Sequence, residues 1–279
     1  MKPGLSIIIP AHNEADYIGA CLEALLASGP VASAVEVLMA ANGCEDDTVA
    51  RAREFADQFA ARGWGYEVLE LAQGGKMGAL NAGDERARYA ARAYLDADVS
   101  VSPALVGQLS EALLRNDAAS YVSGTPVIAP AQAAVTRAYA RFWQTLPFVT
   151  DGVPGFGLFA VNQAGRARWD DFPNIISDDT FVRLNFTPAE RVRVPAIYTW
   201  PMIEGFAPLV IVRRRQDHGV TEIRQRFPAL MGNDDPTPIT LPPLWRRFAS
   251  DPMGFVVYAV VALATRLPHR DKDTWARGR

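Results

Sequence analysis

Asp96-Ala97-Asp98 follows the apolar residues 93–95, and two carboxylates on a tight turn can hold a divalent cation together with the phosphates that it bridges. Such a triplet also arises as an ordinary exposed turn, so its meaning depends on its surroundings. Leu95 before it and Pro103 after it place the turn at the carboxyl edge of a sheet, where nucleotides bind in open α/β folds. Lys76 is one of three lysines, with Lys2 and Lys272, among 28 basic residues. It stands after Gly74-Gly75 on the first turn of a helix, where a cation opposes the helix dipole. A solvated lysine is the ordinary reading there, and a charge that serves a diphosphate is the functional one.

Groups of this kind need a scaffold, and the first half of the chain reads as one. Residues 5–9 are a continuous apolar run ending at Pro10, as in a buried parallel strand. From Glu14 the apolar positions Ile18, Cys21, Leu22, Leu25 and Leu26 recur at helical spacing until Gly29-Pro30. A second strand at 35–39, a helix from Asp47 to Gly63, a third strand at 66–71, a helix over 76–91 and a strand at 93–95 complete a βαβαβαβ order. Crossover helices between short buried strands predict an α/β fold with a mostly parallel, Rossmann-like sheet and flanking helices. Downstream the pattern predicts a helix over 103–115, a strand over 120–128, a long helix over 131–146, and then a less regular half. Residues 232–243, GNDDPTPITLPP, read as a linker or surface loop before a C-terminal helix. The expected division is 1–125, 126–230, 231–243 and 244–279.

Composition narrows the function classes. A chain of 279 residues, 49% hydrophobic and 21% charged, can bury a sizeable core, which excludes a disordered tail protein. A net charge of −3 gives no basic surface for nucleic acid. Cys21 and Cys44 lack zinc spacing and cannot staple a fold of this size, which points to a reducing compartment. The N-terminal run is cut by Pro10 and lacks a signal-peptide pattern, so a cytoplasmic protein is expected. Residues 253–264 are continuously apolar but short of the about 20 residues that span a bilayer. Arg246-Arg247, Arg266, Arg270, Lys272, Trp245 and Trp275 flank them, so a buried core helix and a helix at the inner face of an anionic membrane both stay open.

Four segments in order, IIIPAHNEA, ANGCEDDT, GGKMGALNAG and YLDADVSVSP, followed by GFGLFAVN, SDDTFVRL and RRRQDHG, resemble family 2 glycosyltransferases of the GT-A fold over residues 4–219. The resemblance implies an inverting enzyme that moves a sugar from a nucleotide-diphosphate sugar to an acceptor hydroxyl with Mn2+ or Mg2+. It places Pro10, Ala11, Asn13 and Glu14 under the nucleotide, Lys76 in the nucleotide pocket, Asp98 as chief metal ligand and Asp96 as a ribose or metal contact. Two acidic residues usual before Gly-Ser are Ala41-Asn42 here, so Asn42, with both a donor and an acceptor, is left to face the base. Asp179, last in the position of the family's xED motif, is the implied general base, with Asp178 orienting it or meeting the acceptor. An N-cap with a first-turn acid is the ordinary reading of the same residues, and a helix start would depress the carboxyl pKa.

Gly155-Phe156-Gly157 with Phe159 resembles the loop that supports the acceptor; glycines allow close backbone approach and aromatics stack on sugar faces. Phe159 reads equally as a strand residue entering the core. RRRQDHG falls where processive relatives carry QRxRW; Val212 and Gln216 replace the glutamine and tryptophan, which disfavours polymer synthesis. Arg215 keeps the arginine that could neutralise the diphosphate, and His218 is either a surface residue or a third metal ligand. The expected partners are the sugar nucleotide, a sugar or lipid-linked acceptor, and a peripheral membrane contact. Two alternatives stand. A sugar-phosphate nucleotidyltransferase needs a glycine-rich, arginine-containing loop where this chain has AHNEA. A non-catalytic nucleotide-sugar scaffold fits Ala41 and Gln216 but not the retained Asp96, Asp98 and Asp179.

Overall fold

A computed structural model of the chain describes residues 2–115, 117–235 and 241–267, side chains excepted at 241–244. Among them, one sheet is built from β1 (Lys2–Ala11), β2 (Val35–Asn42), β3 (Gly65–Leu71), β4 (Tyr89–Leu95), β5 (Ser100–Val101), β6 (Tyr121–Ile128), β7 (Leu158–Val161) and β8 (Arg191–Trp200). The helices are α1 (Ile18–Leu26), α2 (Thr48–Arg53), α3 (Ala56–Arg62), α4 (Lys76–Arg86), α5 (Leu105–Leu114), α6 (Ala134–Trp143), α7 (Pro147–Thr150), α8 (Gln163–Arg166), α9 (Asp178–Leu184), α10 (Phe206–Arg226), α11 (Leu241–Ser250) and α12 (Pro252–Ala264).

The sheet order is β3-β2-β1-β4-β7-β6-β8-β5. β1 pairs in parallel with β2 and β4, and β2 with β3, so the alternating first half makes the parallel half of the sheet. From β4 onward the sheet turns antiparallel, with β7 against β4 and β6, and β5 against β8. The sheet is therefore mixed: antiparallel neighbours need no crossover helix, and the loss of βα alternation after residue 95 is its sequence trace. Leu5, Ile7, Ile8 and Ile9 are all buried because β1 lies between two strands with helices on both faces, and each such side chain contributes about 1.5–3 kcal/mol.

Several element ends depart from their expected places. Asn13 takes a left-handed φ of 54°, which ends β1 and delays α1 to Ile18. The helix expected over 47–63 breaks into α2 and α3, and that expected over 76–91 stops at Arg86 so that β4 can begin at Tyr89. α10, a helix of 21 residues, carries the whole RRRQDHG segment.

The chain gathers into two compact units, residues 1–127 with 153–200 and residues 128–152 with 201–279. The first holds the sheet, which residues 153–200 return to complete, so the expected boundary near 125 is not where the sheet ends. In the second, Phe255 and Tyr258 of α12 pack on Phe142 of α6, with ring centroids 5.4 and 5.1 Å away. Arg214 on α10 donates to the carbonyls of Ala264, at 2.7 Å, and Thr265, at 3.1 Å. It thereby satisfies acceptors that the end of α12 leaves open.

Candidate active site

The carboxyl ends of β1, β2, β3 and β4 share one edge of the parallel half, and the loops leaving them carry the residues singled out above. Asn42 ties three of these loops together. Its amide nitrogen donates to the Ala11 carbonyl at 2.8 Å, its side-chain oxygen accepts from the Gly75 N–H at 2.8 Å, and its own carbonyl accepts from His12 Nδ1 at 2.6 Å. The side chain is buried, with its amide nitrogen and its oxygen both engaged by backbone, so Asn42 holds these loops together. Pro10 and Ala11 are buried strand residues that supply backbone at this edge. Asn13 accepts from the Glu45 N–H at 2.7 Å, and the Glu14 N–H donates to Thr48 Oγ1 at 2.7 Å. Burial would raise the Asp46 pKa, but the Thr48 hydroxyl and the N–H groups of Thr48 and Ala15 all donate to its carboxylate and lower it, and so it acts as a loop fastener.

Gly75 adopts a φ of 138°, open to glycine, and starts α4 with Lys76 at its first position. α4 lies close on β1 because Gly83 has no side chain: a Cβ there would meet Ile8 Cγ2 at 2.4 Å. The Lys76 ammonium is therefore aimed across the sheet edge, 2.8 Å from Asp96 Oδ1 and 3.0 Å from Asp178 Oδ2. Burial disfavours its charge, but Asp178 and Asp96 prevail and hold its pKa above the ordinary lysine value. Lys76 is thus not a solvated lysine; it joins the Asp96 turn to the start of α9. The same helix fixes the segment before α9, since Asn81 Oδ1 accepts from the Phe172 N–H at 2.7 Å and its amide donates to the Phe172 carbonyl at 3.2 Å.

Asp178 is buried beside Lys76, and Asp179 follows it in the first turn of α9. Ser177 is the N-cap residue but makes no side-chain capping bond. Burial first, then the neighbouring Asp178 charge, push the Asp179 carboxyl up to about 6, against the opposing pull of Lys76 and the Thr180 N–H. The direction is opposite to the depression expected from a helix start, because α9 has only seven residues and desolvation with a like charge outweighs its dipole. A carboxyl poised there is ionised at neutral pH yet basic enough to take a proton.

The loop 155–157 comes to the Asp96 turn by register. β7 runs antiparallel to β4 with Leu158 opposite Leu95, so the residues preceding β7 lie beside those following β4, and the Asp96 N–H donates to the Gly157 carbonyl at 2.9 Å. Both glycines are required: a Cβ on Gly155, at φ 72°, would lie 1.8 Å from Tyr121 Oη, and one on Gly157, at φ 73°, 2.6 Å from Trp200 Cδ1. Phe156 and Trp200 form a half-buried aromatic pair with centroids 5.0 Å apart, and Tyr198 Oη donates to the Phe156 carbonyl at 2.9 Å. Trp200 was not singled out from the sequence, although the strand-end run Tyr198-Thr199-Trp200 before Pro201 carries the signal. Phe159 is a core residue, buried against Tyr94 at 4.9 Å.

Asp96 and Asp98 offer hard carboxylate oxygens suited to Mg2+ or Mn2+. Among the described residues no group of three or more His, Cys, Asp or Glu side chains gathers as a metal cage. Two carboxylates alone would leave the remaining positions of such a cation to phosphate oxygens and water. His218, read from the sequence as either a surface residue or a third ligand, is an exposed residue of α10 in the second unit. Arg215 is a half-buried residue of the same helix.

The family model for glycosyl transferase family 2 matches residues 6–171, a span that includes Lys76, Asp96, Asp98 and the 155–157 loop and stops short of Asp178 and Asp179. Over 99 residues the chain is 39% identical to the glycosyltransferase AglE of Haloferax volcanii, covering 35% of this chain and 31% of that protein. Over 116 residues it is 32% identical to EpsJ of Bacillus subtilis, covering 42% and 32%. The matched segments thus span about a third of each relative. Among solved structures, the Pyrobaculum calidifontis mannosyltransferase PcManGT in complex with GDP-Man and Mn2+ superposes with a TM-score of 0.61 at 19% identity, over 95% of this chain and 74% of that one. S. aureus TarS 1–349 in complex with UDP-GlcNAc gives 0.53 at 14% identity, over 95% and 82%. These likenesses are of fold, and the fold is that of GT-A glycosyltransferases. With its motifs in order and the family model matching more than half its length, the chain belongs to glycosyl transferase family 2.

Proposed function

We propose that the protein is an inverting, non-processive glycosyltransferase that moves a sugar from a nucleotide-diphosphate sugar to an acceptor hydroxyl, using a divalent cation held by Asp98 and Asp96. The observation that carries this reading is the bridge made by Lys76, which sets Asp178 and, next to it, Asp179 against the Asp96 turn. Acidic groups suited to a metal diphosphate and an acid–base group poised about 6 stand in one unit of the fold.

In this reading Asp179 removes the proton from the acceptor hydroxyl. That oxygen bonds to the anomeric carbon from the face opposite the diphosphate, and the carbon–oxygen bond to the diphosphate breaks, releasing the nucleoside diphosphate. The bound cation would neutralise the charge that collects on the leaving group. Lys76 has one ammonium between two carboxylates, so it both holds Asp178 in place and offers positive charge to the diphosphate. Arg215 is assigned a similar counter-charge on the resemblance of its segment alone. Gly155-Phe156-Gly157 and Trp200 would seat the acceptor, with the aromatic faces under a sugar ring. Non-processive transfer rests on Val212 and Gln216 in place of the polymerase residues.

The test is binding of nucleoside diphosphates and their sugars, followed by thermal unfolding with Mn2+ and with a chelator. A ligand at about 100 times its Kd stabilises by about 2.7 kcal/mol. The expected result is a stabilisation that needs Mn2+ in the parent and disappears in Asp98→Ala. Equal shifts in both proteins, with and without chelator, would refute the metal assignment.

A further inference from the structure

α12 has two apolar faces, and only one is used. Gly254, Phe255, Tyr258 and Val261 turn inward, where Phe255 and Tyr258 meet Phe142 and Tyr139 of α6. On the outer side Met253 (66% exposed), Val256 (50%), Val260 (48%) and Leu263 (62%), with Leu267 (59%) in the turn that follows, recur in steps of three and four along one line. Trp245 on α11 is 68% exposed and joins this helix through Phe248, whose ring lies 5.2 Å from Trp245 and 5.3 Å from Phe255. One side of α12 is thus part of the core and the other is exposed.

We propose that this outer stripe docks on an anionic lipid surface, inserting Met253, Val256, Val260 and Leu263 among the acyl chains while Arg246 and Arg266 meet the headgroups. The occupant is chosen by charge. Residues 241–279 carry a net charge of +4, the residues before them −7, within the chain total of −3. Arg246 and Arg266 are exposed. A second copy docking through the same stripe would bring two such basic segments together, whereas an anionic surface complements them. No helix among the described residues is long and apolar enough to cross a membrane, so the contact is a shallow one. Trp275, Arg270 and Lys272, which entered the same expectation, lie outside the described residues. The proposal rests on the second unit and stands whether or not the transfer reading holds.

Flotation of the whole chain with phosphatidylcholine vesicles, with and without phosphatidylglycerol, tests it. The protein should float only with the anionic vesicles, and less at high salt. Val260→Glu and Arg246→Glu should each lower the partition coefficient about tenfold or more, with unchanged thermal unfolding because both positions are exposed. Met253→Glu, at a more exposed position, repeats the test free of any effect of Val260→Glu on folding. Flotation independent of phosphatidylglycerol, or unaltered by both apolar substitutions, would overturn the proposal. So would a dimer in sedimentation velocity that Val260→Glu dissolves while the parent ignores vesicles, which would give the face to a second copy.

Discussion

Asp179 has its carboxyl raised to about 6 by burial and by Asp178, and this fixes the pH range in which it can accept a proton. In the proposed role its working form is the carboxylate, so transfer should be full above that value and fall as pH drops through it, by about tenfold per unit well below. Lys76 lowers this pKa, so Lys76→Met should move the acidic limb of the rate profile to higher pH. A limb that stays in place would show that Lys76 has no electrostatic hold on the base. Asp179→Asn keeps the shape and removes the basicity, so transfer should fall about a hundredfold to ten-thousandfold. Nucleotide binding should be nearly unchanged. Because its charge is held in an unfavourable place, the same substitution should also stabilise the fold above pH 7, where the parent carboxylate is ionised. A gain of roughly 1 kcal/mol would raise the Tm by about 2–4 °C. A lost Tm together with unimpaired transfer would make Asp179 a structural residue.

Elements bring these residues together by register and close packing. Asn81 on α4 holds the Phe172 backbone through two hydrogen bonds, and Lys76 on the same helix holds Asp178. Asn81→Ala should cost about 1–3 kcal/mol by leaving the Phe172 N–H and C=O without their partner. It should also lower kcat without matching loss of nucleotide affinity, since α9 would lose a fixed seat. Gly155→Ala should be more damaging, because its Cβ would fall on Tyr121 Oη at a left-handed φ. Trp200→Ala should raise the KM for the acceptor and leave that for the donor, as read by steady-state kinetics with each varied in turn.

Much of this was legible at element scale. Apolar runs and helical spacings gave β1 to β4 and their order, and the quoted motifs placed Lys76 and Asp96. Lys76's partner was not legible, since Asp178 lies about a hundred residues on and only the fold makes them neighbours. The backbone partners of Asn42 were not legible for a related reason: its side chain can donate and accept in many settings, and only the packed loops bring it the Ala11 carbonyl and the Gly75 N–H. Asp179's pKa shift escaped the helix-dipole argument because burial is a property of the packed unit.

At the scale of the whole molecule, the sheet and the residues around Lys76 belong to the first unit, while α6, α10, α11 and α12 form the second. The sequence pattern blurs after residue 95 because β7 pairs antiparallel with β4 and β6, and β8 with β5, and residues 128–152 leave the sheet unit between β6 and β7. Arg213 pairs with Asp217 at 3.0 Å and Arg214 closes the end of α12, so two of the three arginines of the RRRQDHG segment serve the second unit's own packing. Transfer of a sugar from a nucleotide-diphosphate sugar breaks the bond between the anomeric carbon and the diphosphate oxygen. Incubation of the whole chain with a panel of sugar nucleotides and Mn2+, read by phosphorus NMR, tests it most directly. The account predicts nucleoside diphosphate as the phosphorus product from at least one donor, slow with water alone, and lost on chelation and in Asp98→Ala. Nucleoside triphosphate formed from a sugar nucleotide and pyrophosphate would make the protein a nucleotidyltransferase, and saturable binding of every donor with no bond broken would make it a scaffold; either result would contradict the account.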